Sequence, residues 1–84
     1  MNTEIVGTFL DITQQICPMT FVRTKLLIES LSIGEIATVR LLGPEPLLNV
    51  PRSVREHGHK VISLEPENPN EPDGPYLLVI EKAQ

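Results

Sequence analysis

Tryptophan is absent from this 84-residue chain, and Phe9, Phe21 and Tyr76 are its only aromatic residues. A core without large rings has to be built from Leu, Ile and Val. There is one cysteine, Cys17, which excludes an internal disulfide and any dithiol redox couple within the chain, and fits a reducing compartment. No apolar run exceeds about five residues, where crossing a bilayer takes ~20. The opening Met1-Asn2-Thr3-Glu4 has neither the positive n-region nor the apolar h-region of a secretory signal. These absences predict a cytoplasmic protein with no membrane association. Cations are also short: seven Lys and Arg stand against eleven Asp and Glu, a net charge of -4. With no basic run, direct nucleic-acid binding through phosphate neutralisation is excluded.

What is present is ordinary globular material, 40% hydrophobic and 21% charged, in a length that holds one domain over residues 1–84. Glu4 to Ile12 gathers β-branched and aromatic residues in the manner of a strand. Pro18 to Ser32 reads as a helix, with proline at its first position and Gly34 beyond its end. On that helix Phe21, Thr24, Leu27, Ile28 and Leu31 fall within a core-facing stripe of roughly 120°. Met19, Val22 and Leu26 form a second apolar ridge on the opposite side. Glu35 to Leu42 predicts a second strand, ended by the turn residues Gly43-Pro44-Glu45-Pro46. Leu47, Val50 and Val54 share a helical face, but a proline inside a helix loses a hydrogen bond and clashes with an earlier carbonyl. The second helix is therefore placed from near Pro51 to His57, with Asn49 as its N-cap and Gly58 as its left-handed stop.

Lys60 to Glu65 and Tyr76 to Glu81 predict the third and fourth strands, joined by a polar loop with prolines at 66, 69, 72 and 75. That period of three matches a polyproline II turn, although an extended hairpin loop stiffened by proline is the reading its acidic residues favour. The order βαβαββ predicts an α+β fold, a two-layer sandwich with two helices on one face of a mixed four-stranded sheet. The first three strands run parallel and the fourth antiparallel to the third.

One constellation carries chemistry. Cys17-Pro18 stands where a loop enters the first helix, so the sulfur takes the N-cap position, where unpaired N–H groups and the helix dipole favour a thiolate. Against this, Cys17 also falls near the core stripe on the helical wheel and can be read as a buried, inert thiol. His57 and His59, two residues apart, make a poor metal site, so none is expected, and capping of the second helix explains them better. Arg23, Lys25, Arg52, Arg55 and Lys60 form a basic rim, solvated unless it converges on Cys17.

Leu10-Asp11, then Cys17-Pro18-Met19-Thr20, Leu27, Leu31, Gly34-Glu35, Pro44, Asn49-Val50-Pro51 and Gly58-His59 together resemble the TusA-like (SirA-like) sulfur-carrier family over nearly the whole chain. The resemblance implies the βαβαββ two-layer fold and a sulfurtransferase that needs no cofactor. Cys17 would accept sulfur as a persulfide, supported by Pro18 and Thr20. A cysteine desulfurase or other persulfide donor would load it, and a downstream acceptor protein would unload it. The ridge of Met19, Val22 and Leu26 is the expected partner-binding surface. The sequence departs from the family's Cys-Pro-x-Pro hallmark at Thr20, and Gln14 replaces the usual glycine three residues before the cysteine. These departures keep a second reading open, a partner-binding adaptor domain of the same fold in which Cys17 is unreactive.

Overall fold

The computed structural model describes residues 8–14 and 19–84, the side chains of Met19 and Thr20 excepted. Six elements follow in the order β1 (Thr8–Asp11), α1 (Met19–Ser30), β2 (Ile36–Leu41), α2 (Pro44–Glu56), β3 (Lys60–Pro66) and β4 (Tyr76–Glu81). The predicted residues 4–7 of the first strand and Pro18 of the first helix lie outside the described residues. The sheet order is β1-β2-β4-β3. β1 pairs parallel with β2, while β4 runs antiparallel to both β2 and β3. The first three strands thus share one direction, and the fourth, rather than joining the edge, fills the place between β2 and β3.

The alternation of strand side chains decides where the core lies. Ala37, Val39 and Leu41 of β2 stand in register with Ile80, Leu78 and Tyr76 of β4. The three β2 residues, Leu78 and Ile80 form one cluster with Ile12, with Ile28 of α1 and Leu31 just past its end, and with Val50 and Val54 of α2. Both helices therefore cover the same face. Val61 and Leu64 of β3 pack against this cluster although they are three residues apart. A register shift between Val61 and Ser63 supplies the extra residue, and Ile62 is half exposed; a bulge of this kind also blunts an edge strand. Thr24, Ile28 and Leu31 of the predicted α1 stripe are buried, Phe21 and Leu27 half-buried, and Val22 and Leu26 exposed.

The second helix begins a full turn and more before the predicted start. Pro44 stands at its opening, after Gly43 at φ 107°, and a proline there loses nothing because first-turn N–H groups have no intrahelical partner. Asn49 accordingly sits inside the helix and is not its cap. Pro51 also lies inside, at the cost of one backbone hydrogen bond, and its ring is buried with Pro46, Val50 and Val54. Pro46, Val50 and Val54 recur every four positions with Pro51 beside them, so they form one apolar stripe against the sheet. The far end is as expected: Gly58 takes φ +86°, its N–H donates to the Arg55 carbonyl at 3.0 Å, and the His59 N–H reaches back to Val54 at 3.1 Å. This pair of bonds is a Schellman motif.

Prolines 69 and 72 do not extend as polyproline II. The loop folds as two successive turns, closed by Glu71 N–H to Asn68 O and Gly74 N–H to Glu71 O, both 2.9 Å, above a base where the Glu67 N–H meets the Pro75 carbonyl at 2.9 Å.

Candidate functional site

β1 and β2 end at the same side of the sheet, where β1 gives way to the connector that leads into α1. The connector leaves through a built turn. Asp11 Oδ1 accepts the Thr13 N–H at 2.9 Å and the Thr13 hydroxyl at 2.7 Å. Ile12, 1% exposed, is held by its N–H to the Arg40 carbonyl at 3.1 Å. The Arg40 side chain stands on the open face of the sheet, directly across from Asp11 in the β1–β2 register. Its Nη1 donates to Asp11 Oδ2 at 3.1 Å, and its Nε and Nη2 donate to Glu67 Oε1 at 3.1 and 3.0 Å. Hydrogen bonds from Thr13, and then the Arg40 guanidinium, hold the Asp11 carboxyl below its ordinary range. The Arg40 guanidinium is in turn raised above its usual value, chiefly through Glu67.

Cys17 and Pro18 lie outside the described residues; Gln14 on one side and Met19 on the other are the nearest described positions. Met19 and Thr20 open α1. Its first turns lie beside the end of α2: the Phe21 and His57 rings are 5.8 Å apart at 41°. A cleft between the helices is lined by Phe21, Thr24, Ile28, Val50, His57 and His59 among others. The two histidines are in opposite states there. His57 Nδ1 lies 2.8 Å from the Ser53 carbonyl, which can only accept, so Nδ1 donates there. His59 Nδ1 accepts the Ala83 N–H at 3.2 Å, so its proton sits on Nε2. Burial, then the charges of Lys82 and His57, push His59 below its ordinary value.

His57 is the C-cap of α2, as the sequence predicts. Among the described residues, no three His, Cys, Asp or Glu side chains come together to hold an ion, and no helix is long and apolar enough to cross a membrane. Arg23, Lys25, Arg52, Arg55 and Lys60 are all exposed. Arg40 was not among the predicted site residues, although an arginine within the apolar run of Thr38-Val39-Arg40-Leu41-Leu42 on a sheet with one open face is a visible signal.

Comparison with known proteins places these observations. The chain is 47% identical over 57 residues to a protein of Archaeoglobus fulgidus, covering 67% of this chain and 64% of that protein, so it spans less than two thirds of that relative. It is 32% identical over 62 residues to a protein of Thermotoga maritima, covering 74% of this chain and 78% of the other. Both relatives bear the name "Putative sulfur carrier protein". The fold matches the crystal structure of a SirA-like protein from Desulfitobacterium hafniense with a TM-score of 0.73, over 92% of this chain and 99% of that one, at 18% identity. The family model for sulfurtransferase TusA matches residues 8–82, and the chain belongs to that family.

Proposed function

We propose that this protein is a sulfur carrier that holds sulfur as a persulfide on Cys17. The observation that carries this reading is the place of Cys17 in the chain, two residues before α1 opens at Met19, within a match to the TusA family over residues 8–82. A helix start gathers unpaired N–H groups and partial positive charge, which favour the thiolate. That thiolate attacks the outer sulfur of a donor persulfide; the donor's S–S bond breaks, the donor leaves as a thiolate, and Cys17 keeps the transferred sulfur as a new persulfide. An acceptor thiolate then attacks the same outer sulfur and releases Cys17 as a thiolate, so the cycle needs no net oxidant or reductant.

The supporting part proposed for Pro18 is the fixed φ of proline, which suits a helix start, and Thr20 supplies a hydroxyl-bearing residue in the first turn of α1. Val22 and Leu26, 37% and 57% exposed, support a docking ridge with Met19 for the donor, a cysteine desulfurase or another persulfide enzyme, and for the acceptor protein, in the cytoplasm. Gln14 and Thr20, in place of the family's glycine and second proline, favour the alternative of an adaptor with an inert cysteine. Incubation with a cysteine desulfurase and cysteine, followed by intact mass spectrometry, decides between them. The carrier gains one sulfur atom and Cys17→Ser does not; an unchanged mass for the native protein rules the carrier out.

A further inference from the structure

We infer that His59 is a proton-operated latch: its neutral ring holds Ala83 and Gln84 across the end of α2, and a proton on that ring releases them while the rest of the domain stays folded. The latch is independent of the sulfur-carrier reading. Residues 82–84 continue past β4 and join the ends of both helices to the sheet. Lys82 is pinned to the turn before β2, its N–H donating to the Glu35 carbonyl at 3.0 Å and its carbonyl accepting the Gly34 N–H at 2.7 Å. Its Nζ donates to the Leu31 carbonyl, just past α1, at 2.9 Å. The next two residues are held differently. Ala83 donates its N–H to His59 Nδ1 at 3.2 Å, and Gln84 Nε2 donates to the His57 carbonyl at 3.1 Å. The Gln84 side chain lies over Gly58, in the space that a Cβ there would take.

An imidazole nitrogen accepts only while it is unprotonated; in the imidazolium both nitrogens are donors. Protonation therefore turns Nδ1 into an N–H that faces the Ala83 N–H, and the bond is lost. The bonds of Lys82 contain no imidazole and persist, so the release is confined to the two residues beyond it. The surroundings favour the neutral ring, through burial first, then Lys82 beyond β4, then His57 beyond α2. Other charges nearby come in opposed pairs. From α1, Lys25 and Glu29 line the same cleft as His59; in β3, Lys60 follows it and stands opposite Glu81 in the β3–β4 register; in α2, Arg55 and Glu56 are both exposed. Glu35, whose carbonyl meets Lys82, turns its carboxylate to the Ser32 N–H at 2.8 Å. Lys82 is thus left as the uncancelled cation beside the latch. With the folded ring below the ordinary 6.5, the strap is closed above that pH. Below it the open form takes up a proton that the closed form does not, so opening grows by up to about tenfold per pH unit until the closed-state midpoint is passed.

The test is amide exchange with solvent, read by 15N NMR on the whole chain between about pH 7.5 and 5 as protection relative to an unstructured peptide. Protection at Ala83 is expected to fall below pH 6.5 by up to about tenfold per pH unit, while the paired amides of β2 and β4 keep theirs. In His59→Asn, whose Oδ1 takes the place of Nδ1 and accepts at every pH, protection at Ala83 should not depend on pH; in His57→Gln the fall should remain. Protection at Ala83 that is flat in the native protein overturns the latch, as does a native-like fall in His59→Asn or the loss of that fall in His57→Gln. Protection lost at Ala83 and in β2 together means that the whole domain opens, and this overturns it too. Should either variant fail to fold, as judged by thermal unfolding, the native protein decides alone. The His59 ring and the Ala83 amide resonance must then titrate with one midpoint, and two separate midpoints sink the proposal.

Discussion

An imidazole that accepts a backbone N–H has to stay neutral to do so. His59 takes the Ala83 N–H on Nδ1, and burial, Lys82 and His57 all press its pKa below the ordinary 6.5. The unfolded chain then binds a proton at a higher pH than the folded one, so stability is complete above about 6.5 and is lost as the pH falls through the folded value. Urea unfolding at pH 7.5 and pH 5.5 should show the loss, and His59→Gln should reduce it. An NMR titration should place the His59 midpoint below that of a histidine peptide. An equal acid-side loss in His59→Gln would assign the effect elsewhere. Asp11, lowered in its own range, acts only in more acidic solution, where its protonation weakens the hold of Thr13 and Arg40.

At the scale of elements, α2 shows how much a sequence can carry and where it misleads. Leu47, Val50 and Val54 mark the correct face, yet Pro51 argues for a later start because an internal proline costs about 3 kcal/mol. The helix tolerates it since the Pro51 ring is buried in the stripe with Val50 and Val54, a tertiary gain that no local rule contains. The helix stop, in contrast, is legible in one residue. Gly58 at φ +86° meets the Schellman geometry without a Cβ, and Gly58→Ala should destabilise the fold by about 1 kcal/mol, read from urea midpoints. On the predicted first helix the wheel separates the buried Thr24, Ile28 and Leu31 from the exposed Val22 and Leu26. Val22→Glu with Leu26→Glu should therefore leave unfolding within about 0.5 kcal/mol of native for each exposed substitution, while slowing sulfur loading because a docked partner would bury two unpaired charges. Native loading by that variant would leave the ridge without a role. The node at Arg40 was hidden for another reason: its pairing with Asp11 depends on the β1–β2 register, and parallel strands joined through a helix carry no turn to set that register locally.

For the molecule as a whole, the loop between β3 and β4 divides into a part that belongs to the fold and a part that does not. Glu67 closes the hairpin base onto Pro75 and holds Arg40, whereas Asn68 to Asp73 are exposed turns. Replacing residues 68–74 with Asn-Gly should keep cooperative unfolding with little change in midpoint, since shortening a flexible loop changes closure entropy slowly. Extending the cut through Glu67 should leave melting similar, because the exposed Arg40–Glu67 pair it removes contributes little to folding. A loss of cooperativity in the shorter deletion would show that the turns pack.

The central place of β4 has a consequence for how the protein is made. Every described strand pair except β1–β2 includes β4, and Ile36 meets Glu81 across it. Both helices and three strands are synthesised before anything can join β2 to β3. The apolar face of α2 and the inward residues of β3 must wait, uncovered, for residues 76–81. Chains truncated before Tyr76 should thus bind chaperones and be cleaved readily by protease, and chains that include β4 should be resistant.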